Sequence, residues 1–442
     1  LNLEEKKQWL REHAHLCPAP YTKRDFRIQN FNQFGLTCCC NLDTTRVTES
    51  NPAQAVDAVT KAMDLNQRAR ECSRCVSEES QGHTSERMRL MLQWTPEQLQ
   101  QFDQLRQLPH DQEVEVAMKF STVCNLACRS CNPNDSTLFA QVTNTPLALT
   151  KWQNDLADIP AYWQAITDDI QRQHAIHGDI IVHPIGGEPF VTAGFARLVD
   201  WLCETNLAQH VKLRVTTNFV VPITDRWIDK LARFRSVQIV ASIDSVGDNY
   251  NQVRWPAEWN KIQSNLDHWA NTVSKDPARF NHMCVIMVFT INNIFYIDEI
   301  LDWWHGWLSD NPGFNLDLQN IHVYRPAFLK PEVLPSRYRG QLLQIMKPLV
   351  DHPLFANHRH PQLYDFVANT VSVLQQTVPA DNALWQDYLR YTAEYDARTR
   401  SDSFRSNSRL FQLLDTDDIA IYHEQANRVD RTLPIYGHQS LL

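Results

Sequence analysis

Glycine is scarce in this chain, 11 in 442 residues, so its turns lean on 22 prolines and on polar side chains. No apolar run approaches the ~18 residues that a membrane-spanning helix needs. The opening stretch LNLEEKKQWLREH is charged and lacks the apolar core of a secretory signal. These two absences point to a cytoplasmic protein with no membrane contact. The first residue is Leu rather than Met, which fits an upstream piece trimmed away. A basic excess is missing as well. The formal net charge is −9, which disfavours a nucleic-acid binder built on bulk electrostatics but leaves a local basic groove open. No internal repeat or low-complexity segment is present. Hydrophobic residues at 43% and charged residues at 21% exclude global disorder. A chain of this length exceeds one simple core, so two or three domains are expected.

Cysteine is not scarce. There are eleven, an odd number, and eight fall into tight groups: Cys38-Cys39-Cys40, Cys72 with Cys75, and Cys124, Cys128 and Cys131. A secreted disulfide scaffold would be short and would carry a signal. Clustered cysteines in a long chain without one point to a metal or an iron–sulfur cluster.

Three regions separate by pattern. Residues 1–110 hold Cys17, the Cys38–Cys40 run, Cys72 and Cys75. The segment FRIQNFNQFGLTCCC reads as a short hairpin with Gly35 at or near its turn. After it, Pro52 opens a helical apolar pattern. Residues 111–330 alternate strand-like segments (114–122, 180–186, 211–217, 236–243, 283–290, 315–324) with amphipathic ones such as 193–207 and 294–308. Six such units imply parallel strands, because parallel neighbours need long crossovers. A partial (β/α)6 barrel fits, and a doubly wound sheet is the competing arrangement. Residues 331–442 read as helical, with an irregular tail or packing arm from about 413. The fold class is therefore α/β: a partial TIM-like barrel, an N-terminal α+β domain and a helical C-terminal segment.

The chemistry lies just after the first of the six strands, in Cys124-Asn-Leu-Ala-Cys128-Arg-Ser-Cys131. Three thiolates on one loop can hold three irons of a cubane and leave the fourth open. Structural zinc normally takes four ligands in pairs. The loop also follows a strand, at the face where (β/α) barrels carry their sites. Further on stands Gly186-Gly187-Glu188-Pro189, after the second strand.

These motifs resemble those of the radical S-adenosylmethionine (SAM) enzymes. The resemblance implies a [4Fe–4S] cluster on Cys124, Cys128 and Cys131, whose open iron binds SAM. Reductive cleavage of SAM then gives a 5′-deoxyadenosyl radical that abstracts hydrogen from a substrate. It further implies that Gly186, Gly187 and Glu188 seat SAM, with Glu188 accepting from its ammonium. Thr217 and Asn218 end the third strand. Ser242 and Asp244 would face the ribose, and Arg254 the methionine carboxylate. Ser130 departs from the pattern, because many members carry an adenine-contacting aromatic there. The bland alternatives are a strand-end turn for Ser242 and Asp244 and a surface salt bridge for Arg254.

The N-terminal cysteines resemble the Twitch type of auxiliary-cluster domain: Cys17, then Gly35 before Cys38-Cys39-Cys40, a helix, and Cys72-x2-Cys75. With EESQGHTSER, NYNQVRWPAEW and LPSRYRG, the resemblance spans roughly residues 15 to 410 and implies a second [4Fe–4S] cluster. Counting from Gly35 favours Cys39 or Cys40 over Cys38 as its second ligand in chain order. Zinc and disulfides are the competing uses of this set. Members of this kind often modify ribosomal peptides, so a peptide or amino-acid-like substrate is expected, followed by a nucleotide or other small molecule. An electron donor such as flavodoxin or ferredoxin is implied. A non-catalytic iron–sulfur electron carrier and a zinc scaffold are the rival classes. Cys203 and Cys284 read as core cysteines, and Trp303, Trp304 and Trp307 as core. His322 and Tyr324 read as strand-end packing, and His352, His358 and His360 as a solvated loop.

Overall fold

The alternating segments assemble in chain order in the computed structural model. It describes residues 2–30, 33–39, 52–80, 82, 84–133, 135–144, 156–280, 282–321, 323, 325–375 and 382–429. The strands are β1 Lys23–Asn30, β2 Gln33–Thr37, β3 Glu115–Lys119, β4 Ile180–Ile185, β5 Val211–Thr217, β6 Ser236–Ser242, β7 His282–Met287 and β8 Asn315–Asn320. They form one sheet in the order β2-β1-β3-β4-β5-β6-β7-β8. From β3 to β8 every pairing is parallel and between neighbours in sequence. A doubly wound sheet would reverse its order at a switch point. From β3 to β8 nothing reverses, so the winding continues one way and curls into a partial (β/α)6 barrel. Helices such as Pro160–His177, Ala193–Glu204, Trp259–Lys275 and Ile297–Asp310 fill the crossovers. No helix among the described residues is long and apolar enough to cross a membrane.

Alternation along the strands explains which way each side chain points. Val116, Val182, Leu213, Ile239, Val285 and Leu318 join the main apolar core. Burying each such side chain stabilises by roughly 1.5–3 kcal/mol. Their neighbours Glu115, His183, Arg214, Gln238 and Cys284 line an internal cavity instead. A one-residue slip of any strand would exchange the two sets, so the register is strongly held.

The N-terminal hairpin is present, and β1 runs parallel to β3 as a seventh parallel strand. Gly35 pairs with Arg27 inside β2, whereas the chain reverses between Asn30 and Gln33.

At the C-terminal end, helices Ser336–Met346, Pro361–Leu374 and Asn382–Thr399 lie where expected. The stretch from 413 does not begin a tail. It forms helix Thr416–Arg428, N-capped by Asp415, which accepts from the backbone N–H groups of Asp417 and Asp418. An Asp cap followed by two acidic residues in the first turn is a helix start. Buried Asp418 accepts from Trp385 Nε1 (2.9 Å), Tyr338 Oη (2.5 Å) and Arg337 Nη2 (2.7 Å). Trp304 and Trp307 are core, as expected. His352 and His360 are not solvated loop residues. His352 faces Asp302 at 3.1 Å, and buried His360 accepts the backbone N–H of Leu318 on β8. The side chain of His358, like His322 and Tyr324, lies outside the described residues. Replacing Asp418 with Ala should strand two buried donors and cost about 3 kcal/mol, read as a lowered midpoint in thermal denaturation.

Candidate cofactor site

The three-cysteine loop after β3 has little regular structure, so its polar backbone groups need partners elsewhere. Ala127 N donates to Trp255 O and Arg129 N to Val253 O, both at 2.8 Å. Ser136 Oγ donates to Leu126 O at 2.6 Å and Tyr391 Oη to Arg129 O at 2.7 Å. Tyr395 Oη donates to Ala127 O. Arg129, between the second and third cysteines, is fully buried. Its guanidinium pairs with Asp396, lies 4.3 Å over the Tyr395 ring, and donates to Gln252 O. Helix Asn382–Thr399 thus grips the loop from outside the barrel.

The sulfur atoms sit among donors. Asn218 Nδ2 points at Cys124 Sγ from 3.8 Å, and Arg254 Nη1 at Cys128 Sγ from 3.5 Å. Burial pushes the Cys124 thiol up to about 12, while the Arg254 charge pulls the other way. Cys124 and Cys131 both feel Cys128 electrostatically, so the three thiols share one neighbourhood. Among the described residues, no three His, Cys, Asp or Glu side chains converge as a single metal ion requires. A cubane does not ask for that convergence, since each thiolate binds a different iron. The Nδ2 of Asn125 and the Nε of Arg254 are buried without partners beside this loop. A donor set of three thiols, cationic and amide N–H groups suits an anionic thiolate-bound cluster.

The loops after β4, β5 and β6 complete the rim. Gly187 has φ +57°, and a Cβ there would lie 2.3 Å from Val123 O. Only glycine lets the GGEP turn lie against the cysteine loop, where Glu188 N donates to Val123 O at 2.9 Å. Gly186, at φ +82°, lies under the Lys119 side chain. Glu188 is wholly buried. It accepts from Thr217 Oγ1 (2.8 Å), Asn218 N (2.7 Å) and Phe190 N (3.3 Å). That uses three of a carboxylate's roughly four acceptor positions. Burial raises its carboxyl from the ordinary 4.5 to about 7, against the pull of these hydrogen bonds. Asn218 also donates to Asn125 Oδ1 at 2.6 Å. Asp244 and Arg254 meet each other: Arg254 Nη2 stands 2.8 Å from Asp244 Oδ2, and Asp244 Oδ1 accepts Val288 N at 2.8 Å. Arg254 is therefore buried at the site, not a surface ion pair. Ser242 ends β6, partly exposed, opposite Ile286.

A second cysteine group surrounds a cavity of about 30 Å³ lined by Cys17, Cys38, Cys39, Cys72 and Cys75. All five are free thiols. Burial pushes Cys17 and Cys75 up to about 12 and Cys38 further still. Cys38 interacts with both Cys17 and Cys72. Spacing from Gly35 pointed to Cys39 or Cys40. Cys39 is buried beside Cys38, and Cys40 lies outside the described residues. Cys203 is buried in the core, while Cys284 faces the barrel interior.

Sequence reasoning missed Arg129, Asn125, Tyr391, Tyr395 and Asp396. The spacing of Tyr388, Tyr391 and Tyr395 on one helix face was the available signal.

No family model matches the chain, and no curated protein does. Among solved structures, native anSMEcpe with bound AdoMet matches at 17% identity and a TM-score of 0.39, over 55% of this chain and 63% of that one. Streptococcus suis SuiB bound to S-adenosylmethionine matches at 13% and 0.33, over 73% and 54%. TYW1 with a lysine-pyruvate adduct bound matches at 15% and 0.28, over 52% and 70%. The chain thus spans less than two thirds of the anSMEcpe and SuiB chains.

The Glu188 carboxyl sets a pH dependence in the unliganded protein. Its folded value lies above its unfolded one, so the native state holds the proton more tightly. This group's contribution to stability is fully present below pH 4.5 and is lost as pH rises through about 7, up to ~3 kcal/mol. Denaturant melts between pH 4.5 and 8 should carry this contribution in the wild-type slope. Glu188→Gln should flatten it; an unchanged slope would show that another group is responsible.

Proposed function

We propose that this protein is a radical SAM enzyme. The observation that carries the reading is one juxtaposition at the C-terminal rim of the barrel. The thiols of Cys124, Cys128 and Cys131 lie on a loop pressed against Gly187 and Glu188 of the GGEP turn. When bound, SAM and a [4Fe–4S] cluster would supply one-electron cleavage of the sulfonium and hydrogen abstraction from a substrate. The three cysteines would hold the cluster. Gly186, Gly187, Glu188, Thr217, Asn218, Ser242, Asp244 and Arg254 would border SAM. Asn218 and Arg254 would direct N–H groups at the cluster's sulfurs, a way of tuning its potential. Clamping by Tyr391, Tyr395 and Arg129 would keep the loop in place while the ligands are exchanged.

Residues 1–110 form a Twitch-like module, 111–330 the barrel and 331–442 a helical segment. The first holds a second [4Fe–4S] cluster on Cys17, Cys72, Cys75 and one cysteine of the 38–40 run. Its role is electron relay or support of the fold, fed by a flavodoxin or ferredoxin. The substrate is a peptide or an amino-acid-like molecule.

The test is 5′-deoxyadenosine formation by protein reconstituted anaerobically with iron and sulfide, given SAM and a strong reductant. The wild type should form it, and Cys124→Ala should abolish it. Cys72→Ala should keep part of the cleavage if the second cluster only relays electrons. Full cleavage by the Cys124 variant, or a protein that takes up zinc and binds no SAM, would overturn the assignment.

A further inference from the structure

The barrel interior is not built like an ordinary one. Inward side chains of closed (β/α) barrels are mostly branched apolar groups that fill the space. Here Lys23, Glu115, His183, Arg214, Gln238 and Cys284 line a cavity of about 300 Å³. The N-terminal segment closes one side with Arg74, Glu78, Glu86 and Arg89.

The lining is charged but balanced. Four cations (Lys23, Arg74, Arg89 and Arg214) stand against four anions (Asp25, Glu78, Glu86 and Glu115). The groups are joined into networks. Glu86 takes Lys23 at 2.7 Å and both Nε and Nη2 of Arg89 at 2.8 Å. Glu115 pairs with Arg214 and with His183 Nδ1 at 3.1 Å. Arg214 Nε donates to Gln238 Oε1 at 2.7 Å, and Gln238 meets His282 at 2.8 Å.

Two donor edges are left over. Among the described residues, neither Arg89 Nη1 nor Arg214 Nη2 has an acceptor, and their side chains keep 34% and 21% of their surface accessible. Both residues line the cavity, so that surface opens inward. Asn320, nine-tenths buried at the cavity border, has neither amide atom partnered among the described residues.

These observations select a ligand class. An apolar ligand would desolvate eight charged groups, at several kcal/mol each, for a gain of roughly 25 cal/mol per Å². A bare anion would meet four carboxylates, and a bare cation four cationic side chains. A small ligand carrying both signs avoids each penalty. The volume lies at the small end of ligand pockets, about 300–1,000 Å³.

We propose that this chamber binds a compact α-amino-acid-like zwitterion. Its carboxylate lies on the guanidinium edges of Arg89 and Arg214, and its ammonium faces the acidic side chains. A bidentate guanidinium–carboxylate contact supplies both strength and orientation. That this zwitterion is the substrate rests on the radical SAM reading; the binding itself does not.

The test is calorimetric titration of the standard free amino acids into the reconstituted full chain, without SAM. The same amino acids blocked as N-acetyl amides serve as comparison. At least one free amino acid should bind saturably, and its blocked form should bind at least about tenfold more weakly. Arg214→Gln and, separately, Arg89→Gln should each weaken that binding by about tenfold or more. Arg89→Gln leaves Glu86 its Lys23 partner, so it guards against a folding defect in the other variant. Binding of blocked forms, capped peptides or simple apolar compounds in preference to every free amino acid would overturn the proposal. So would wild-type affinity in both arginine variants. SAM is titrated separately. SAM binding without amino-acid binding sinks the chamber proposal alone, and amino-acid binding without SAM binding sinks the radical SAM reading alone.

Discussion

A guanidinium buried between two cysteines constrains the rest of this fold. Removing Arg129 from water costs several kcal/mol unless its charge and donors are met. Asp396 and the Tyr395 ring meet the charge, and Asp396 and the Gln252 carbonyl take Nη2 and Nε, while Nη1 is buried without a hydrogen-bond acceptor among the described residues. Asp396 is held in turn by Ser403 N at 3.0 Å and Tyr422 Oη at 2.7 Å. The chain of requirements therefore runs from the cysteine loop through helix Asn382–Thr399 to helix Thr416–Arg428. The six strands alone could not hold that loop. The C-terminal helices are part of the site's framework.

A second constraint is the division of the barrel strands into two faces. Outward apolar side chains bind the crossover helices, and inward polar ones leave a chamber under the rim. Both follow from one alternation, so the stability of the wall and the chemistry of the interior cannot be altered independently by sliding a strand. The polar interior costs packing energy that a filled barrel would have gained. The outer layer offsets it with a continuous core reaching from Phe26 to Tyr422.

Much of this was legible in the sequence, because the relevant signals are local. Short strand-like segments located all six barrel strands, and the β5 segment 211–217 was matched at both ends. The C-x3-C-x2-C and GGEP motifs located two loops that do meet. What was not legible depends on partners distant in the chain. Arg129 and Asp396 are 267 positions apart, and nothing near Arg129 announces its partner. The inward aspect of Cys284 depends on strand parity, which periodicity leaves ambiguous in an apolar run such as Met283–Met287. Which cysteine of the 38–40 run faces the N-terminal group hinges on where β2 ends. Gly35 sits inside that strand rather than at its turn, so a count from it does not single out one cysteine of the run. Helix Thr416–Arg428 was missed although its Asp415 cap was in plain view.

The contact at Gly187 reaches beyond its own turn. The GGEP turn lies against Val123 without a side chain between them, and Glu188 fastens that turn to Thr217 and Asn218. Three successive loops of the rim are therefore one mechanical unit. Fixing a free backbone costs about 1–2 kcal/mol per residue. That disorder is surrendered when the chain folds, not when something docks. A molecule arriving at this half of the rim meets a surface already set, and its affinity is not reduced by having to organise the loops that receive it.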